Sequence, residues 1–140
     1  MKLGEKLCTI VVVLVMLLMV SAPAYAASYQ ALHLEQGQIW TRGYGETHNT
    51  AYIRCGAMCH SVYPYTGSDS YSRIQCKVTN TYREVIVTAP YYVLHEGASS
   101  YTAMHLKDGY LNTSTVYFHF RGNSSEQAQA VVSYTGTITS

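Results

Sequence analysis

Tyr71-Ser72-Arg73-Ile74-Gln75-Cys76-Lys77-Val78 alternates polar and apolar side chains from Arg73 onward. Successive side chains of a β-strand point to opposite faces. The stretch therefore predicts a strand with Ile74, Cys76 and Val78 on one face and the charged Arg73 and Lys77 on the other. The same period of two recurs on both sides of it. Toward the C-terminus, Asn80-Thr81 reads as a turn into Glu84-Val85-Ile86-Val87-Thr88, and Pro90 demotes Tyr91-Tyr92-Val93-Leu94 to an edge or a new strand. Tyr101-Thr102-Ala103-Met104-His105-Leu106 runs into Lys107-Asp108-Gly109, a hairpin-like turn. Thr115-Val116-Tyr117-Phe118-His119-Phe120 alternates aromatic side chains, Gly122-Asn123-Ser124-Ser125 closes it, and residues 128–138 form a last apolar strand. The one helical contender is residues 125–132.

Toward the N-terminus, Ala51-Tyr52-Ile53-Arg54-Cys55 reads as a strand that Gly56 interrupts and that resumes near Val62-Tyr63, before a loop over residues 64–70. Gln38-Ile39-Trp40-Thr41-Arg42-Gly43-Tyr44 reads as a strand ending in the turn cluster of residues 45–49, and Ala31-Leu32-His33-Leu34 as a short first strand. Seven to nine short strands at roughly ten-residue spacing predict an all-β antiparallel sandwich, immunoglobulin-like or jelly-roll-like. Composition agrees: 14 Tyr with abundant Thr, Ser and Val suit a pleated, half-buried surface.

The chain opens with Lys2 and Lys6, an apolar run over residues 7–20, Pro23, and the small-residue site Ala24-Tyr25-Ala26. A positive start, a short apolar run and such a site predict a signal peptide over residues 1–26, leaving one domain over residues 27–140. A spanning helix needs about 20 apolar residues, more than this run supplies. No second apolar run follows, so the expectation is a secreted product without a membrane span after cleavage.

Nine Lys and Arg stand against eight Asp and Glu in the whole chain, and Lys2, Lys6 and Glu5 belong to the leader, so the remainder is balanced. The basic residues are scattered along the sequence. Phosphate-backbone binding needs them clustered, so nucleic acid is not an expected partner.

Residues 32–54 resemble small exported proteins of Gram-positive bacteria, in which an alternating strand is followed by Gly-Gln-x-Trp-Thr, a polar turn and a Tyr-rich strand. The matching residues are Gly37-Gln38-Ile39-Trp40-Thr41, then Thr47-His48-Asn49-Thr50, then Tyr52-Ile53. The architecture is also similar to that of lactococcin-type bacteriocins, which are small secreted β-sandwiches. The resemblance implies an exported β-sandwich and implies no site residues.

Cys55, Cys59 and Cys76 follow the leader. Outside the cytoplasm cysteines tend to pair, and three leave one thiol free or bonded to a second chain as a disulfide-linked dimer. Cys55–Cys76 and Cys59–Cys76 both stand as candidates; Cys55–Cys59 would need a tight turn at Gly56. Cys55-Gly56-Ala57-Met58-Cys59-His60 is one residue too long for haem attachment. Thiolates, a thioether and an imidazole suit Cu(I), so Cys55, Cys59 and His60 form a candidate metal set. No second ligand pair with zinc spacing is present, and the expectation is no cofactor.

His105 and His119 alternate with apolar neighbours on predicted strands. No nucleophile elbow or phosphate loop occurs, and no enzymatic activity is expected. The tyrosine excess points elsewhere. Tyr63, Tyr65, Tyr71, Tyr91, Tyr92, Tyr101 and Tyr110 fall at or near predicted loops and strand ends. Exposed tyrosine offers rigid amphipathic contact area, which makes Tyr63, Tyr65, Tyr91 and Tyr92 candidates for surface recognition of a protein or a cell-envelope glycan. The expected function is that of a secreted bacterial β-sandwich acting through its surface, by envelope association, bacteriocin-like action or ligand binding. The alternative is an exported copper protein.

Overall fold

The computed structural model describes residues 27–64, 72–123 and 127–139; the signal peptide expected over residues 1–26, Tyr65, Tyr71 and most of the expected 64–70 loop lie outside them. The described chain forms β1 (Ser28–Leu34), β2 (Tyr44–Thr47), β3 (Arg54–Pro64), β4 (Arg73–Thr79), β5 (Tyr92–His95), β6 (Thr102–His105), β7 (Thr115–Gly122) and β8 (Ala128–Thr135). They make two four-stranded sheets, ordered β1-β8-β3-β6 and β2-β7-β4-β5, and every strand pair is antiparallel. First pairs with last, second with seventh, third with sixth and fourth with fifth. One long hairpin has been rolled so that its successive rungs fall alternately in the two sheets. That is the arrangement of a jelly roll rather than of an immunoglobulin domain.

Alternation builds the core. Ile74, Cys76 and Val78 of β4 are buried, as are Val116, Phe118 and Phe120 of β7, and Cys55, Ala57 and Cys59 of β3. Tyr134 of β8 reaches across to the facing sheet, its ring 5.2 Å from that of Phe118 and 6.0 Å from that of Phe120, with Tyr44 5.9 Å away. Tilted aromatic pairs at these separations add about 0.5–1.5 kcal/mol each beyond the area they bury. They lock the two sheets in register.

Five sequence expectations need correction. Residues 38–44 do not form a strand: Gly37 and Gln38 turn with φ of 89° and 58°, and the paired segment is β2, where a turn cluster was expected. Gly56 does not break β3, which runs through it; a Cβ there would come 2.5 Å from Ile138 Cδ1 and 3.0 Å from the Thr102 carbonyl oxygen, so a larger residue would make its neighbours shift. The irregularity sits four residues on, where His60 is the extra residue between the Cys59↔Val132 and Ser61↔Val131 pairs. Residues 84–88 make only isolated bridges, Thr79↔Val85 and Val87↔Leu106, while they cross between sheets. Lys107-Asp108-Gly109 leads not into a hairpin but into a 3₁₀ turn, Asp108–Tyr110, on the crossover from β6 to β7. The helical contender is strand from Ala128 onward. No helix of the described residues is long and apolar enough to cross a membrane.

Candidate functional site

The outward face of the β2-β7-β4-β5 sheet gathers side chains that are far apart in sequence. Cross-strand pairing sets Gln75 beside Arg121, Lys77 beside His119 and Thr79 beside Tyr117, and β5 adds Val93 beside Gln75 and His95 beside Arg73. None of these residues is acidic. The scattered basic residues of the sequence thus become a cluster in space, because alternation and pairing bring odd-numbered positions of β4 and β7 to one surface.

Trp40 covers this surface. It leaves the Gly37-Gln38 turn and folds back over the sheet, with Arg121 Cζ 4.2 Å and Lys77 Nζ 4.8 Å from its ring centre. Arg121 also approaches the ring of Tyr91, at 5.5 Å, so its guanidinium links two aromatic side chains. Such contacts contribute about 0.5–1 kcal/mol when exposed and more when water is excluded. Gln75 holds the arrangement in place. Its Oε1 accepts from Arg121 Nε at 2.6 Å, and its Nε2 donates to Asn123 Oδ1 at 3.1 Å. The carbonyl of Asn123 in turn accepts from Gln38 Nε2 at 3.1 Å.

Among the described residues, no carboxylate pairs with Lys77, Arg83 or Arg121. Burial, then Arg121 and Arg83, push the Lys77 ammonium below its ordinary pKa. Positive groups that destabilise one another leave a field that an anion would relieve.

Beyond the Lys77–His119 rung the face ends in a cleft of about 240 Å³ lined by Gly43, Thr79, Asn80, Arg83, Tyr117 and His119. His119 Nδ1–H donates to the Thr41 carbonyl at 3.0 Å, which leaves Nε2 to accept from the Thr79 hydroxyl at 2.9 Å. Burial, opposed in part by the Thr41 carbonyl and reinforced by Lys77 and Arg83, holds the His119 pKa below its ordinary value. A neutral ring fits this bonding pattern.

No family model, curated protein or solved structure matches this chain. The geometry of its own residues therefore carries the functional argument.

The three candidate tyrosines among the described residues do not form one surface. Tyr91 belongs to the Arg121 stack and is 41% exposed. Tyr63, 62% exposed, lies on β3 in the other sheet. Tyr92 turns inward against the core, with its hydroxyl 3.2 Å from Thr88 Oγ1. Tyr65 is outside the described residues. Sequence reasoning missed Trp40, Lys77, Gln75 and Arg121 as a group. The available signal was the polar-face parity of Lys77 and Arg121, but it gave no indication that β4 and β7 are neighbours.

The candidate metal set comes apart. Alternation turns Cys55 and Cys59 into the core, whereas His60, at the bulge, lies on the outer side, its Nε2 2.6 Å from Ser133 Oγ and its ring 5.2 Å from that of Tyr29. Among the described residues no group of three or more His, Cys, Asp or Glu is placed to hold a metal ion. Burial also raises the Cys55 thiol to about 12 and Cys59 to about 11, and metal ligation needs the thiolate.

Cys55, Cys59 and Cys76 are all free thiols in this structure. Cys55 and Cys76 lie on the inner faces of opposite sheets, near enough that the Cys55 sulfur adds to the burial that raises the Cys76 pKa. Cys59 lies farther along β3, where Glu96 raises its pKa further.

Proposed function

We propose that this protein is an exported, non-enzymatic recognition domain that binds an anionic polymer of the bacterial cell envelope through the outward face of the β2-β7-β4-β5 sheet. The observation that carries the reading is the Trp40–Arg121–Tyr91 stack, held by the buried Gln75, on a sheet face whose cations pair with no carboxylate among the described residues. Aromatic rings present flat apolar area to sugar or polyol segments, and unpaired cations answer charge spaced along the chain. A nucleic acid shares the charge requirement, but the leader over residues 1–26 favours a ligand outside the cytoplasm.

The signal peptide and the resemblance of residues 32–54 to small exported proteins of Gram-positive bacteria support the compartment and the source. Oxidising surroundings would favour a Cys55–Cys76 bridge between the sheets, with Cys59 left over as the odd thiol. The fold by itself does not choose a ligand, since jelly rolls serve many functions.

Co-sedimentation of the protein with purified Gram-positive cell envelopes tests the proposal. The wild-type protein should pellet with envelopes and be released by salt, whereas a Lys77→Gln/Arg121→Gln variant should stay in the supernatant. Equal pelleting of the two proteins, or none by the wild type, would contradict it.

A further inference from the structure

We propose that the cleft beside the Lys77–His119 rung is a seat for a phosphate group of the bound polymer, with Arg83 as its principal contact. The inference rests on the binding face described above and names the charged group that the face selects.

The turn that carries Arg83 is closed by two backbone bonds, Asn80 N–H to the Glu84 carbonyl at 3.0 Å and Arg83 N–H to the Asn80 carbonyl at 3.1 Å. Asn80 Oδ1 accepts from the amides of Tyr82 and Glu84, at 3.0 Å each. Within this well-bonded turn Arg83 has φ of 64°, the left-handed region that favours glycine. The guanidinium offers the turn nothing in return: among the described residues it makes no side-chain hydrogen bond or ion pair, while Arg83 lines the cleft and its charge acts on Lys77 and His119. A strained backbone position occupied by a long cation, where glycine would relax, points to use of the side chain at the cleft.

The other walls suit an oxyanion. The Thr79 hydroxyl and His119 Nε2 meet there, and Lys77 stands on the adjoining rung. A ring that takes up a proton converts Nε2 from acceptor to donor, so an arriving anion can recruit it. The neighbouring carboxylate of Glu84 is already engaged, accepting from Asn80 Nδ2 at 2.8 Å and from the Tyr110 hydroxyl at 3.4 Å. A guanidinium matches two phosphate oxygens side by side, and the hydroxyl and imidazole reach the tetrahedral group from other directions. A planar carboxylate uses fewer of these donors. From the Gln75–Arg121 rung to the Thr79–Tyr117 rung is four residues, about 13 Å, so one polymer segment spans the aromatic stack and the seat.

The test uses the secreted protein and Arg83→Gly, which places the favoured residue in the left-handed position and so keeps the fold. Each is titrated with inorganic phosphate, with a polyol-phosphate oligomer and with polygalacturonate, reading Trp40 emission and the His119 ring resonances. The wild type should bind the phosphate oligomer, and free phosphate should shift His119. Arg83→Gly should lose at least tenfold affinity for the phosphate oligomer and stay within twofold for polygalacturonate. If Arg83→Gly binds the phosphate oligomer as the wild type does, or if the His119 resonances ignore phosphate, the seat is refuted while the binding face stands. If neither polymer changes Trp40 emission in the wild type, both readings fall together.

Discussion

Arg121 lies with its guanidinium carbon 4.2 Å over the ring of Trp40, a contact made by residues from opposite halves of the chain. Trp40 lies outside the strands; the adjoining Thr41 ties the backbone to β7, its N–H donating to the Phe120 carbonyl at 2.8 Å, and the contacts with Arg121 and Lys77 hold the indole ring against the sheet. Arg121→Ala should free the indole, shift its emission to longer wavelength and lower stability by about 1 kcal/mol in urea unfolding. Because the chain has one tryptophan, the spectrum reports this position alone. An unshifted spectrum would mean that Trp40 is anchored by something else.

The thiols give a second expectation. Thiolates form disulfides, and burial leaves the Cys55 thiol at about 12, so the closed fold is inert and a bridge must form before the sheets close. Protein collected from an oxidising medium should carry one Cys55–Cys76 disulfide, formed with loss of two protons and two electrons to an exchanging disulfide. The bridge should contribute about 3 kcal/mol through its loop of about twenty residues. Cys59 should react with thiol reagents only after unfolding. Peptide mapping that finds Cys59 bridged, or three thiols labelled in the native protein, would contradict this.

His48 is buried, with Nδ1 at the carbonyl of Gly136 and Nε2 2.9 Å from the carbonyl of Tyr52. It ties the β2–β3 connection to the segment after β8. His48→Ala removes the donor and leaves a cavity, at an expected cost of about 1–3 kcal/mol in urea unfolding. A loss within a few tenths would mean that water replaces the ring. Gly136→Ala should be at least as damaging, because its Cβ would come 2.1 Å from the Thr47 carbonyl oxygen.

The lowered pKa of His119 sets a pH dependence. Its ordinary value is 6.5, so below that pH the unfolded chain binds a proton that the folded ring resists. Stability from this group is therefore present above pH 6.5 and is lost as pH falls through the lowered folded value. The slope should be a fraction of the about 1.4 kcal/mol per pH unit of one whole proton, because the half-buried ring is partly screened. His119→Gln should flatten the profile in urea unfolding between pH 7 and 5. An unchanged slope would place the pH dependence in other groups.

Much of the fold was legible because burial follows parity. Ile74, Cys76 and Val78 read as one face, and all three are fully buried. The jelly-roll order was not legible, because which strands pair depends on long-range packing such as Tyr134 against Phe118 and Phe120. Residues 38–44 misled because Trp40 and Tyr44 look like strand residues, while Gln38 adopts a left-handed conformation that sequence does not announce. The candidate site failed for the same reason in reverse. Cys55, Cys59 and His60 are close in sequence, but the strand sends them to opposite faces. Lys77 and Arg121 are distant in sequence, and the β4–β7 pairing makes them neighbours.

A titration of Trp40 emission with the polyol-phosphate oligomer, at low and high salt, tests whether the Trp40 face binds an anionic envelope polymer. Wild-type protein should give a saturable change that weakens steeply with salt, and Lys77→Gln/Arg121→Gln should give none at either. A flat wild-type titration, or an equal response from the double variant, would contradict the account.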